Sequence, residues 1–149
     1  MITHAVAAWL HYLGIMLMTA LLVMEHLLFS DKLDVVRGRL LLRIDALYGT
    51  IAGVQIGTGI WRMLLEKGTS YYLSNPFFHA KLGLFALVGL LSLYPTLTFL
   101  SWRTSLRQEQ APSVDSGRAK LVTMVIRIEL LGLLLIPLLA ALMARGVGV

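Results

Sequence analysis

The sequence predicts an all-α protein, a four-helix transmembrane bundle. Of its 149 residues, 58% are hydrophobic and only 14% are charged, whereas soluble domains carry roughly 25% charged residues. The mean hydropathy is +0.79. The apolar residues form four long blocks, each at or above the roughly 18–20 residues that a helix needs to cross a bilayer. We therefore expect a single integral-membrane domain over residues 1–149, in contact with membrane lipid.

Short polar segments separate the four predicted helices, which cover about residues 6–29, 40–65, 77–102 and 121–143. Pro76 suits the start of the third helix, because proline is tolerated in the first helical turn. Pro137 removes one backbone hydrogen bond from the fourth helix and predicts a kink there. No cleavable signal peptide is expected, since the first block is too long and lacks a basic flank.

The distribution of Lys and Arg predicts the orientation. Basic residues in or beside the first and third connections are Lys32, Arg37, Arg39, Arg43, Arg103, Arg107, Arg118 and Lys120. On the other side of the bilayer lie Arg62, Lys67, Lys81 and Arg145. The positive-inside rule therefore places these two connections in the cytoplasm and both termini on the outer (periplasmic) side. Because the basic residues act as topology signals, the net charge of +5 does not indicate nucleic-acid binding.

Helical phase and topology sort the polar residues of the apolar blocks into layers. The outer layer contains His11, Arg62, His79 and Lys81. The inner layer contains Glu25, His26, Arg43 and Asp45, and near the midplane lie Arg127 and Glu129. Ionisable side chains in hydrocarbon require partners, so we expect Glu25 to pair with Arg43 or Arg127, and Asp45 with Arg127. A proton relay through Glu25 and Glu129 is the alternative.

The outer layer has the composition of a haem site. The chain has no cysteine to supply a thiolate. Neutral imidazole is the usual protein ligand for haem iron, and bundle cores can hold a flat macrocycle, so His11 and His79 are candidate iron ligands. Arg62, Lys81 or Lys67 would pair with the haem propionates. Gly14 lies near His11 and Gly83 near His79, and both leave room for a ring. Met18 on the first helix is the methionine nearest the site. Alternatively, the histidines bridge helices by hydrogen bonds and Lys81 extends to the interface.

The second helix carries two contrasting faces. Small residues at every fourth position form a glycine ridge that permits close approach of another backbone; they are Gly49, Gly53 and Gly57. The opposite face carries Tyr48, Gln55 and Arg62 at heptad spacing. Aromatic residues predicted as interfacial anchors rather than site residues are Trp9, Trp61, Tyr71, Tyr72 and Trp102.

Several short motifs together resemble a known pattern. They are Leu10-His11, residues 43–48 (RIDALY), residues 59–61 (GIW), residues 78–82 (FHAKL) and residues 127–129 (RIE). With these motifs the chain resembles a family of small bacterial predicted membrane proteins and, through them, the HemJ-type protoporphyrinogen oxidases. The most specific match is the His-Ala-Lys-Leu segment at residues 79–82.

The resemblance implies a multi-pass protein of the bacterial cytoplasmic membrane. It would bind haem b, oxidise protoporphyrinogen IX and pass electrons to an acceptor such as quinone. His11 would be the axial haem ligand, Lys81 a second essential residue, and Arg43, Tyr48 and Glu129 supporting polar residues. One alternative is a haem-binding electron-transfer or redox-sensing module without a porphyrinogen substrate. Another is a cofactor-free structural subunit, in which the glycine ridge serves homo-oligomerisation.

Overall fold

A computed structural model of the chain describes residues 2–65 and 68–147 and confirms the all-helical prediction. Its helices are α1 (Ile2–Leu28), α2 (Val35–Leu65), α3 (Gly68–Ser74), α4 (Pro76–Ser101), α5 (Arg103–Arg107) and α6 (Ser116–Ala144). The helices α1, α2, α4 and α6 are long and apolar enough to cross a membrane. In the described part of the chain, the only extended pairing is an isolated bridge between Lys32 and Ser113.

Several helices begin earlier than hydropathy predicts. Asp34 accepts a hydrogen bond from the backbone N–H of Arg37 at 2.7 Å, and Asp115 accepts one from Gly117 at 2.9 Å. Such caps satisfy N–H groups that have no partner in the first turn, so α2 and α6 start in polar sequence. Hydropathy detects only the apolar part of each helix. The short helices α3 and α5 also lie in segments expected to be loops.

The four long helices alternate in direction around a common core. Helix α1 packs mainly on α2, and α4 on α6, while contacts of α1 with α6 and of α2 with α4 close the bundle. The hydrogen bond between Thr96 and Asp45 joins α4 to α2. We call the end of the bundle with residues 2 and 147 the terminal end, and the end with the α1–α2 and α4–α6 connections the loop end.

An aromatic cluster closes the core at the loop end. Phe29 stacks on Trp102 with ring centroids 6.4 Å apart, and Phe99 lies 5.1 Å from Trp102. Trp102 is 5% exposed, so its expected role as an interfacial anchor is wrong. Outside the cluster, Arg39 donates to the carbonyl of Leu106 at 2.8 Å and pairs with Glu109. These contacts attach the α4–α6 connection to α2.

The glycine ridge lies on the outer surface of the bundle. A Cβ atom built on any of Gly49, Gly53 or Gly57 would meet nothing within 4 Å. The opposite face of α2 points inward, with Tyr48 and Gln55 buried. The described helices therefore do not use the ridge for packing against one another.

Candidate functional site

A pocket opens between the helices at the terminal end and has a volume of about 650 Å³. Its walls come from α1, α2, α3, α4 and α6 and are mainly apolar and aromatic. Polar groups on the walls come from His11, Tyr12, Gln55, Arg62, Tyr71, Tyr72 and Lys81. A mainly apolar cavity of roughly 300–1,000 Å³ with a few convergent polar groups is typical of small-molecule sites. We call this cavity the terminal pocket.

Hydrogen bonds fix the imidazole of His11 on one wall of the terminal pocket. Its Nδ1 lies 3.0 Å from Oγ1 of Thr58. The Thr58 hydroxyl donates to the Val54 carbonyl at 2.9 Å, so the same oxygen accepts from Nδ1–H. This pattern assigns the neutral tautomer with the lone pair on Nε2. His11 therefore keeps its lone pair on Nε2, which can ligate a metal, while its other nitrogen is held by a second residue.

Gln55 covers the Nε2 atom of His11. Its side-chain amide nitrogen lies 3.3 Å from that atom and donates to it. Its Oε1 atom is buried without a hydrogen-bond partner, and it faces Gly14, where a Cβ atom would overlap it. The glycine thus makes space for the amide that lies over the imidazole. A ligand bound at Nε2 would replace the Gln55 amide.

Two cations lie on the same pocket. The Arg62 guanidinium stands 5.1 Å from the ring centroid of Tyr12, and Lys81 Nζ stands 5.4 Å from that of Phe78. Both residues line the terminal pocket together with His11. Guanidinium and ammonium groups beside an apolar cavity suit a ligand that carries carboxylates on a hydrophobic body.

The structure brings only some of the residues predicted for cofactor binding into the terminal pocket. His79 is exposed and donates from Nε2 to the Leu73 carbonyl at 2.8 Å, because it lies about 200° around α4 from Lys81 at two residues' spacing. Met18 is buried in the core and Gly14 lies behind Gln55, and neither lines the pocket. The predicted propionate partner Lys67 falls outside the described residues.

The bundle also contains a layer of buried carboxyls nearer the loop end. Glu25 is 1% exposed, Asp45 6% and Glu129 0%, and they come from α1, α2 and α6. Thr96 of α4 donates to Asp45 at 2.7 Å. Fourteen residues of α1 separate Glu25 from His11, or roughly 21 Å at 1.5 Å per residue. We call Glu25, Asp45 and Glu129 the carboxyl layer.

The prediction that arginines pair with Glu25 and Asp45 is wrong. Arg43 and Arg127 are both exposed, and one Glu25 oxygen and both Glu129 oxygens are buried without a hydrogen-bond partner in the described structure. Each arginine precedes an inward carboxyl of its own helix by two residues, which is about 200° of rotation. Once Asp45 and Glu129 face inward, the arginines must face outward.

Four residues of the terminal pocket were not predicted as site residues. They are the polar wall residues Tyr12, Gln55, Tyr71 and Tyr72; Thr58, which holds His11 from outside the pocket wall, was not predicted either. Tyr71 donates to the Met143 carbonyl at 3.4 Å, and its ring meets that of Tyr72 edge-on at 5.6 Å. The heptad spacing that puts Gln55 on the same face as Arg62 was a usable signal for Gln55. No sequence signal distinguishes the two tyrosines of α3 from interfacial anchors.

Over the described residues, fold and site together define a class of protein: a polytopic membrane bundle with four helices able to span the bilayer. A mainly apolar pocket with a few polar groups lies at one end, and buried carboxyls lie towards the other. The chain belongs to the DUF2214 family, described as predicted membrane proteins, whose family model matches residues 3–148. Comparisons with curated proteins and with solved structures found no match.

Proposed function

We propose that the terminal pocket binds haem b with His11 as axial ligand, and that the protein is a redox protein of the bacterial cytoplasmic membrane. The observation that carries this proposal is the His11 imidazole, whose Nδ1 is held by Thr58 on the wall of a pocket shared with Arg62 and Lys81. The predicted orientation would open this pocket towards the periplasmic side.

The residues present fit such a group in composition. The Nε2 lone pair of His11 supplies a ligand, the apolar walls accept a flat macrocycle, and Arg62 and Lys81 supply partners for its propionates. Bound haem would supply one-electron chemistry at iron. The chain's own residues orient the imidazole, neutralise carboxylates and exclude water from the apolar part of the pocket.

An absorption spectrum of the detergent-purified full chain tests this proposal. Titration with haemin should produce a Soret band that saturates at one haem per chain, and His11→Ala should abolish it. His79→Ala is the matched control, since that imidazole lies outside the pocket and should leave the band unchanged. A folded wild-type protein without a saturable Soret band, or equal loss of the band in both variants, would refute the proposal.

Oxidation of protoporphyrinogen IX, with electrons passed to a quinone, is the specific activity that we propose for the haem-bound protein. It rests on the HemJ resemblance and on the position of Lys81, which lines the same pocket as His11 and can bind a substrate carboxylate. The porphyrinogen would give up hydrogen as electrons and protons and become the conjugated, fluorescent porphyrin.

Porphyrin fluorescence from purified haem-loaded protein, porphyrinogen and a soluble quinone measures this activity. Lys81→Met should reduce the quinone-dependent rate at least about tenfold, the size expected when a charge-assisted contact is lost. Lys120→Met, which removes an exposed lysine near the start of α6, should have no effect. Haem-loaded protein without any quinone-dependent rate would instead favour an electron-transfer or redox-sensing module.

A further inference from the structure

The carboxyl layer is buried in the interior of the spanning helices, where three uncompensated negative charges are energetically unfavourable. Glu25 and Glu129 are almost completely buried in spanning helices, and Glu25 lies within electrostatic range of both Asp45 and Glu129. Carboxylates within this range of one another in a low-dielectric interior repel one another, and each loses its hydration. A positively charged ligand must therefore compensate them.

Among residues 2–65 and 68–147, no side chain supplies this charge to the layer. The titratable groups nearest to the layer in sequence are His26 beside Glu25, Tyr48 on α2 and Tyr94, two residues before Thr96 on α4. The nearest basic residues, Arg43 and Arg127, are exposed. No described basic side chain lies within ion-pair distance of Glu25, Asp45 or Glu129.

A second observation points to a missing ligand. The hydroxyl of Tyr48 is buried without a hydrogen-bond partner, in a residue that is only 4% exposed. It lies within electrostatic range of all three carboxyls. Buried polar groups are normally paired. Here the oxygens of Glu25 and Glu129 and the hydroxyl of Tyr48 come from three helices and have no partner among the described side chains. This arrangement indicates a site that is completed by something smaller than a side chain.

Geometry favours the proton over a metal ion. In the described part of the chain, no group of three or more His, Asp or Glu side chains is placed to hold a metal ion. A proton needs only one oxygen. On uptake, a hydronium ion transfers its proton to a carboxylate, an O–H bond forms, and the hydronium ion becomes water; release is the reverse. A protonated carboxyl also becomes a hydrogen-bond donor. The unpartnered oxygens of this layer have no such donor from the described side chains.

We propose that Glu25, Asp45 and Glu129, together with the hydroxyl of Tyr48, form a proton-binding site that is loaded in the resting protein and exchanges its protons with water. This site is separate from the terminal pocket and does not depend on a cofactor there. Towards the loop end, Phe29 follows Glu25 by four residues and belongs to the packed core, so proton exchange requires transient opening of the packing or entry of water between the helices.

Infrared spectroscopy of the full chain in lipid vesicles tests this proposal through the C=O stretch of protonated carboxylic acids. At neutral pH the wild type should show such a band, and transfer to D₂O should shift it downward. Glu129→Gln and Glu25→Gln should each remove one component of the band. The matched control is Glu109→Gln, which alters an exposed carboxyl at the loop end and should leave the band unchanged.

Three results would overturn the proposal: no carboxylic-acid band in the wild type at neutral pH, a band that both Gln variants retain in full, or a band that never shifts in D₂O. Loss of the band on adding sodium chloride, but not choline chloride, would reassign the site to a sodium ion and also overturn it. If the Gln variants do not fold, the D₂O shift of the wild-type band and the smaller change Asp45→Asn are used instead. A band that shifts in D₂O and is reduced in Asp45→Asn supports the proposal, and a band that does neither overturns it.

Discussion

Gly14→Ala tests the packing of Gln55 over His11. The new Cβ atom would overlap Oε1 of Gln55 and lie 3.3 Å from its Cδ. Because Gly14 is buried on α1 and faces the buried Gln55 of α2, the amide must rotate away. The hydrogen bond to His11 Nε2 is then lost.

The expected loss of stability follows from three contributions. Overpacking costs about 1–3 kcal/mol, and the lost hydrogen bond costs about 1 kcal/mol. The alanine recovers about 1 kcal/mol through helix propensity. The net loss of about 1–3 kcal/mol corresponds to a melting temperature lower by about 2–12 °C, at about 2–4 °C per kcal/mol for a chain of this size.

Thermal unfolding in detergent, followed by intrinsic fluorescence, measures this effect. Gly53→Ala is the matched control, because its Cβ atom would meet nothing within 4 Å, and it should keep or slightly raise the melting temperature. Adding Gln55→Ala to Gly14→Ala should recover part of the loss, since the overlapping side chain is gone. Equal melting temperatures for the two glycine variants, or no recovery in the double variant, would show that the reasoning is wrong.

Three further predictions concern the aromatic cluster, the support of the imidazole and the loop-end ion pair. Trp102→Ala removes a side chain only 5% exposed and should destabilise the protein by about 3–5 kcal/mol, visible as a large fall in melting temperature. Thr58→Val removes the acceptor of His11 Nδ1–H and, if haem binds as proposed, should weaken haemin binding by about 10–100-fold in the same titration. Arg39→Ala breaks a partly exposed pair with Glu109 and the hydrogen bond to the Leu106 carbonyl, so it should cost about 1–2 kcal/mol, with a small fall in melting temperature.

Much of the architecture could be predicted because membrane insertion is governed by local hydropathy. Long apolar blocks must become helices, since a backbone in hydrocarbon has to satisfy its own hydrogen bonds. Because successive spans alternate in direction, the start of α1, the end of α2 and the start of α4 lie at one end of the bundle. This alternation brings His11, Arg62 and Lys81 to that end without any knowledge of packing. The heptad spacing likewise placed Tyr48 and Gln55 on one face of α2, opposite the glycine ridge, but only the packed structure shows that this face points inward.

Only the tertiary structure decided which polar side chains meet. In each of the pairs His79–Lys81 and Arg127–Glu129, two residues lie on opposite sides of one helix, and periodicity cannot say which side faces the bundle. Packing turned Lys81 towards the pocket and Glu129 into the carboxyl layer, and it folded Tyr72 of α3 into the pocket wall. The physical reason is that the rotation of each helix about its axis depends on contacts with the other helices, which no local pattern contains.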